Sequence, residues 1–173
     1  MQTSYSHAPA ASIEGALADS SVKHVDSAIL EGAASAGLFV VQGTGDQQAR
    51  VPASAAQAAQ GLQLGFVIYS PTREQIRNGY NGFQGVVSGG AVPFADKETV
   101  SVLRRGRIFV KMEDAHTAGD PLFVRVAAGA GGTVLGASRT DADTATAVEV
   151  KGAVVRSTGA AGALAIVEIN LPA

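Results

Sequence analysis

The sequence predicts an all-β protein, with a small β-barrel or β-sandwich core, an extended N-terminal arm and at most short helices. Three observations carry that prediction. Thr99–Ala127 reads as successive short strands, with β-branched Val100, Val102, Ile108 and Val110 along it. Elsewhere, apolar runs recur roughly 8–12 residues apart with turn residues between them, as in sandwiches and barrels. The only helical candidate, Ala53–Gln60 (ASAAQAAQ), is about two turns long and marginal without packing.

Residues 1–35 mix Ser, Ala, Gly and His with single apolar residues, and no period of 2 or 3.6 persists. They are expected to form an extended arm, weakly ordered in isolation, ahead of a β-rich core domain at 36–173. Gly37–Gln42 is the first strand, closed by Gly43-Thr44-Gly45-Asp46. Leu62–Ser70 is the next, ending at Pro71. Thr72–Gly90 contains two Asn-Gly pairs, which predict turns around a short strand at Phe83–Ser88.

In Thr99–Val126 a tight turn is expected at Arg105-Gly106 and another at Ala118-Gly119-Asp120-Pro121, leading into Leu122–Val126. A small strand at Thr133–Gly136, a polar loop at Arg139–Thr144, and strands at Thr146–Val155 and Ala163–Asn170 complete the set. No internal repeat is visible.

Composition narrows the function classes. A chain of 173 residues suits one domain, or one domain plus an arm. With 21 Gly, no Trp and 5% aromatic residues, each position has little apolar area to bury. Self-association would add burial that a monomer lacks. A net charge of −2 argues against a duplex nucleic-acid binder. Residues 73–125 hold eight Lys/Arg and six Asp/Glu, against two and five in residues 1–72. That asymmetry could serve subunit docking.

There is no Cys, so disulfides and thiolate zinc sites are excluded. The first twenty residues lack Lys, Arg and a continuous apolar core, and no run nears the ~18 apolar residues of a membrane span. Neither a secretory signal nor a membrane association is expected.

Catalytic patterns are weak. His7, His24 and His116 lie far apart, and no GxSxG elbow is present. His116 beside Asp114 reads as a solvated loop residue, and Glu113-Asp114 as a charged turn. Asp141-Ala142-Asp143 has calcium-loop spacing without the Gly and terminal Glu of an EF-hand, so it reads as a solvated acidic loop. Glycines 129, 131, 132 and 136 lack the Lys-Ser/Thr of a phosphate loop. No catalytic residue, metal or cofactor is expected.

The one basic cluster is Arg104, Arg105, Arg107 and Lys111, expected to project from a hairpin tip with Lys111 on the face of Arg107. It reads either as a polar sheet face or as a docking patch for an acidic protein surface. Without interleaved aromatics it does not read as a nucleic-acid site.

VSVLRRGRIFVKMEDAHTAGDPLFVR (100–125) resembles the central segment of tailed-bacteriophage capsid cement, or decoration, proteins. That family carries a Val-Leu-Arg-x-Gly-x-hydrophobic-x-Val-Lys run, an Ala-Gly-Asp-Pro turn and an aromatic-containing strand. ARVPASAAQAAQGLQLGFVIYS (49–70) and GAVVRSTGAAGALAIVEINL (152–171) resemble further family segments in the same order. No match is found for 72–98.

The resemblance implies a non-enzymatic virion protein, made in the bacterial cytoplasm, on the outer surface of the expanded capsid. It would bind the major capsid protein and itself, as dimer or trimer, and brace the shell against packaged DNA. Relatives use terminal arms to lie along the shell. The expected contact residues are therefore Tyr5, His24 and Leu38 in and beside the arm, and Arg104, Arg105 and Arg107 at the tip. The competing reading is a host-surface or carbohydrate-binding accessory module of a tail or spike. The scattered Tyr69, Tyr80 and Phe83 make a poor aromatic platform for sugars.

Overall fold

The structure, a computed structural model, describes residues 13–70, 93–128 and 133–171. Its strands are β1 (His24–Leu30), β2 (Ala34–Ser35), β3 (Phe39–Gln42), β4 (Gln48–Arg50), β5 (Gln63–Val67), β6 (Pro93–Phe94), β7 (Thr99–Lys111), β8 (Pro121–Arg125), β9 (Ser138–Arg139), β10 (Ala147–Val155) and β11 (Leu164–Asn170). The all-β prediction holds, in its barrel form. Strands order as β1-β4-β3-β5-β7-β11-β10-β8-β9, and β1 also pairs with β7. The first five therefore close into a barrel, and the rest extend from β7 as an open sheet.

β7 belongs to both halves. Its first part pairs with β1 (Ile29↔Thr99 to Val25↔Leu103) and with β5, and its second with β11 from Asn170↔Arg105 to Leu164↔Lys111. The turn expected at Arg105-Gly106 is not formed. Gly106, at φ +132°, lets the strand change direction without reversing. A bulge there shifts the β1 register past Arg104, since His24 faces Arg105 while Val25 faces Leu103. The basic cluster consequently lies mid-strand, not on a hairpin tip.

Two apolar cores follow from this bend. The barrel strands contribute Ala28, Leu30, Val40, Ala49, Val67, Val100 and Val102 to one core, mostly small because few strands enclose little space. Ala34, Ala36 and Phe94, from the separate β2–β6 pair and its flank, join it. Between the barrel and the open sheet pack Phe39, Phe66, Leu103, Ile108, Val110, Met112, Leu122, Val124 and Val167. The Phe39 and Phe66 rings meet edge to face, 5.2 Å between centroids.

Other expectations are corrected. The boundary at residue 35 falls inside the barrel, because β1 supplies a wall strand whose Ala28 and Leu30 are buried. Ile13–Ala18 is a strap along the second half of β7. Gly15 N–H donates to Phe109 O (2.7 Å), Phe109 N–H to Ala16 O (2.9 Å) and Ala18 N–H to Arg107 O (2.9 Å). Burial raises the pKa of Glu14 on this strap, against the lowering pull of Lys111.

Ala53–Gln60 makes turns, not two helical turns. Gln57 Oε1 accepts from Ala53 N–H, and only a short 3-10 turn forms at Gln60–Leu62. The strand expected at Thr133–Gly136 is displaced to Ser138–Arg139, which pairs with β8. Phe83–Ser88 lies outside the described residues. Among those residues, no helix is long and apolar enough to cross a membrane.

Candidate interaction surface

The bend in β7 gathers charge where the barrel joins the open sheet. Arg104 points into the barrel mouth, where Nη1 lies 3.4 Å from Asp26 Oδ2. His24 Nε2 lies 3.2 Å from Asp26 Oδ1, so one carboxylate serves both. Arg107 donates through Nε to Glu168 Oε2 at 2.9 Å and through Nη1 to Asp19 Oδ2 at 3.3 Å. Glu168 also accepts from Arg156 Nε at 3.1 Å, and hydrogen bonds from Arg156 and Arg107 hold its carboxyl below the usual range. Asp19 is held low first by its hydrogen bonds from Ser21.

Arg105 differs from its neighbours: it is exposed and makes no ion pair among the described residues. It borders a surface groove of about 340 Å³ with Ser21, Val22, Gly106, Arg107, Glu168, Ile169 and Asn170, and Glu168 is engaged there by Arg107 and Arg156. Val22, 76% exposed, is the most exposed large apolar side chain described. Lys23 lies against Gly106. A second opening, about 500 Å³, is the barrel mouth, lined by Asp26, Ala28, Gln42, Gln48, Leu64, Val102 and Arg104. Neither lining contains an aromatic residue.

Of the expected contact residues, His24, Arg104, Arg105 and Arg107 are thus brought together. Leu38 is half-buried beyond them, beside Gly136, and Tyr5 lies outside the described residues. Sequence reasoning missed Asp19, Val22, Asp26 and Glu168, which join the cluster from distant segments. No local signal could have placed them.

A second charged cluster lies at the far side of the open sheet. Arg125, 1% exposed, donates from Nε to Glu113 Oε2 (2.8 Å), from Nη2 to Asp143 Oδ2 (2.8 Å) and from Nη1 to Thr146 Oγ1 (2.9 Å). Arg139 joins Glu113 (3.1 Å) and Asp141 (2.6 Å). The acidic loop expected to be solvated is exposed at Asp141, but Asp141 and Asp143 are both held by these guanidiniums, as is Glu113 of the charged turn. Asp143, Thr144 and Ala145 all take positive φ (39°, 53° and 70°), held by Thr146 Oγ1 donating to Asp143 O at 2.7 Å.

His116 is also corrected, being 3% exposed, with neither ring nitrogen hydrogen-bonded among the described residues. Its backbone exchanges hydrogen bonds with Gly159, which draws it inward. No group of three or more His, Asp or Glu among the described residues is placed to hold a metal.

A closed five-stranded barrel carrying an open sheet, with charged grooves at their junction, defines an all-β barrel protein. The family model described as "Structural cement protein (E217 gp24/Pam3 gp6)" matches residues 1–170. The chain belongs to this phage structural cement family, and it is a structural, capsid-associated protein. Among solved structures, a chain from the capsid of Myoviridae phage XM1 is similar in fold, with a TM-score of 0.67 at 15% identity. That likeness covers 98% of this chain and 97% of the other. No curated protein matches the sequence.

Proposed function

We propose that the protein binds the outer surface of the expanded phage shell and cements neighbouring major capsid subunits against the pressure of packaged DNA. It does so as a self-associated dimer or trimer. The family match over residues 1–170 carries this reading. The exposed Arg105 beside Val22 supplies a cation and an apolar contact, and it makes no ion pair among the described residues, the nearby Glu168 being held by Arg107 and Arg156. Weak contacts of this kind, repeated over a closed lattice, sum to large stabilisation through effective concentration.

The test is the copy number of the chain per major capsid subunit in purified particles, by quantitative mass spectrometry. Lattice-wide cementing requires about one copy per subunit. A handful of copies per particle would overturn it in favour of a tail or vertex accessory. Arg105→Glu lowers shell occupancy more at low salt than at high salt. Occupancy unchanged at every salt concentration would remove Arg105 from the contact.

A further inference from the structure

One backbone edge of the barrel is left open at its mouth. β1 pairs with β7 from His24 to Ile29, but with β4 only at Ile29 and Leu30. Ahead of Gln48 the chain turns away toward β3, with Gly43 N–H donating to Gln48 O at 2.8 Å. Strand alternation identifies the open groups. Ile29 and Glu31 N–H reach Gln47 O (2.9 Å) and Ala49 O (2.7 Å) on the β4 side, whereas Leu30 N–H reaches Glu98 O (2.9 Å) on the β7 side. Counting back by two, Ser27 and Val25 turn their backbone N–H and C=O toward the β4 side, where no described strand receives them. An unpaired edge of this kind is a template for another strand.

The surroundings specify the strand. The edge opens directly onto the barrel mouth, about 500 Å³, where Asp26, Gln42, Gln48 and Arg104 present polar groups above Ala28 and Leu64. Lys23 precedes the edge, and Arg104 and Arg105 lie on the strand paired to it. Against these three cations stand, among the described residues, Asp26, already shared by His24 and Arg104, and Asp46 on the β3–β4 turn, while Glu31 against that turn is matched by Arg50. The balance among these residues is positive. It favours an incoming acidic chain, whereas a second copy would bring the same cations to the edge.

We propose that the Val25–Ser27 edge accepts an extended, acidic segment of the shell subunit as an added strand, one side chain entering the barrel mouth. Main-chain hydrogen bonds supply the affinity, and the mouth supplies the specificity. This rests on the shell-binding reading and adds the mode of docking.

Amide hydrogen exchange of the full-length protein, free and bound to purified expanded shells of its phage, tests it. Binding slows exchange at Val25 and Ser27 by about tenfold or more, the equivalent of one or two new backbone hydrogen bonds. Ser27→Pro removes the outward donor and binds roughly tenfold more weakly, while Ser27→Ala binds like the wild type. Lys23→Glu also weakens binding.

Shell binding with both amides unprotected overturns the proposal, as does a folded Ser27→Pro protein that binds normally. Concentration-dependent protection in the free protein overturns it by assigning the edge to a second copy. If Ser27→Pro fails to fold, the exchange measurement decides alone. A wild-type protein that does not bind shells overturns the shell-binding reading itself, and this proposal with it.

Discussion

Arg125 is almost wholly buried on the last residue of β8, and its cost is met by its partners Glu113, Asp143 and Thr146. Removing Arg125 takes hydrogen bonds from Glu113, Asp143 and Thr146 but leaves both carboxylates partly exposed and beside Arg139, so Arg125→Met destabilises the protein by about 1–3 kcal/mol. Denaturant unfolding measures it, and a loss under about 1 kcal/mol would show the network to be peripheral. The hydrogen bond from Arg125, then that from Thr146, holds the Asp143 carboxyl below its ordinary value of 3.8. A lowered carboxyl contributes stability that is present above the ordinary value and is lost as pH falls through the folded one. The wild type therefore loses this increment in acid below about pH 4, and Arg125→Met, lacking it, shows a flatter acid limb. None of this was legible locally. Alternation in PLFVR turns Leu122 and Val124 inward and Arg125 outward, but Arg125 is covered by partners 12 to 21 residues away.

β7 shows where the element-level signals succeed and where they mislead. Its β-branched positions announced a strand, and Ile108 and Val110 are in the core as expected. Arg-Gly reads as a turn because Gly permits positive φ. The same freedom also permits a bend that keeps both neighbouring strands paired, and only β11, some sixty residues on, decides between them. Gly65 is a stricter case. At φ +140° on β5 it lies so close to β7 that an added Cβ would stand 1.9 Å from Leu103 O. Gly65→Ala therefore forces β5 off β7 and costs at least about 2 kcal/mol, combining backbone strain with overlap. At Gly106 the nearest atom to an added Cβ, Lys23 Cβ, is 3.3 Å away, so Gly106→Ala costs less. Thermal melts of the two variants check the ranking, and equal losses would mean that φ strain alone governs both sites.

For the whole molecule, strand spacing and small-residue composition gave the barrel, and the Arg104–Arg107 cluster was visible as a candidate surface. The closing strand was not visible. HVDSAIL alternates only at its end, with Ala28 and Leu30 inward, so its polar first half resembles an arm. Its role comes from pairing with residues 99–105, a contact that no short-range pattern encodes. The two views predict different truncations. Deleting residues 1–35 removes the Ile13–Ala18 strap and β1, and exposes Val100, Val102 and Ala49 of the barrel core. That protein loses cooperative unfolding. Deleting residues 1–12 leaves every described hydrogen bond in place and shifts the melting temperature by no more than a few degrees. Calorimetry separates the pair, and a cooperative, wild-type-like melt for the longer deletion would contradict β1 as a wall of the barrel. The shorter deletion, because it folds, is the variant whose shell occupancy measures what Tyr5 and its neighbours contribute to binding.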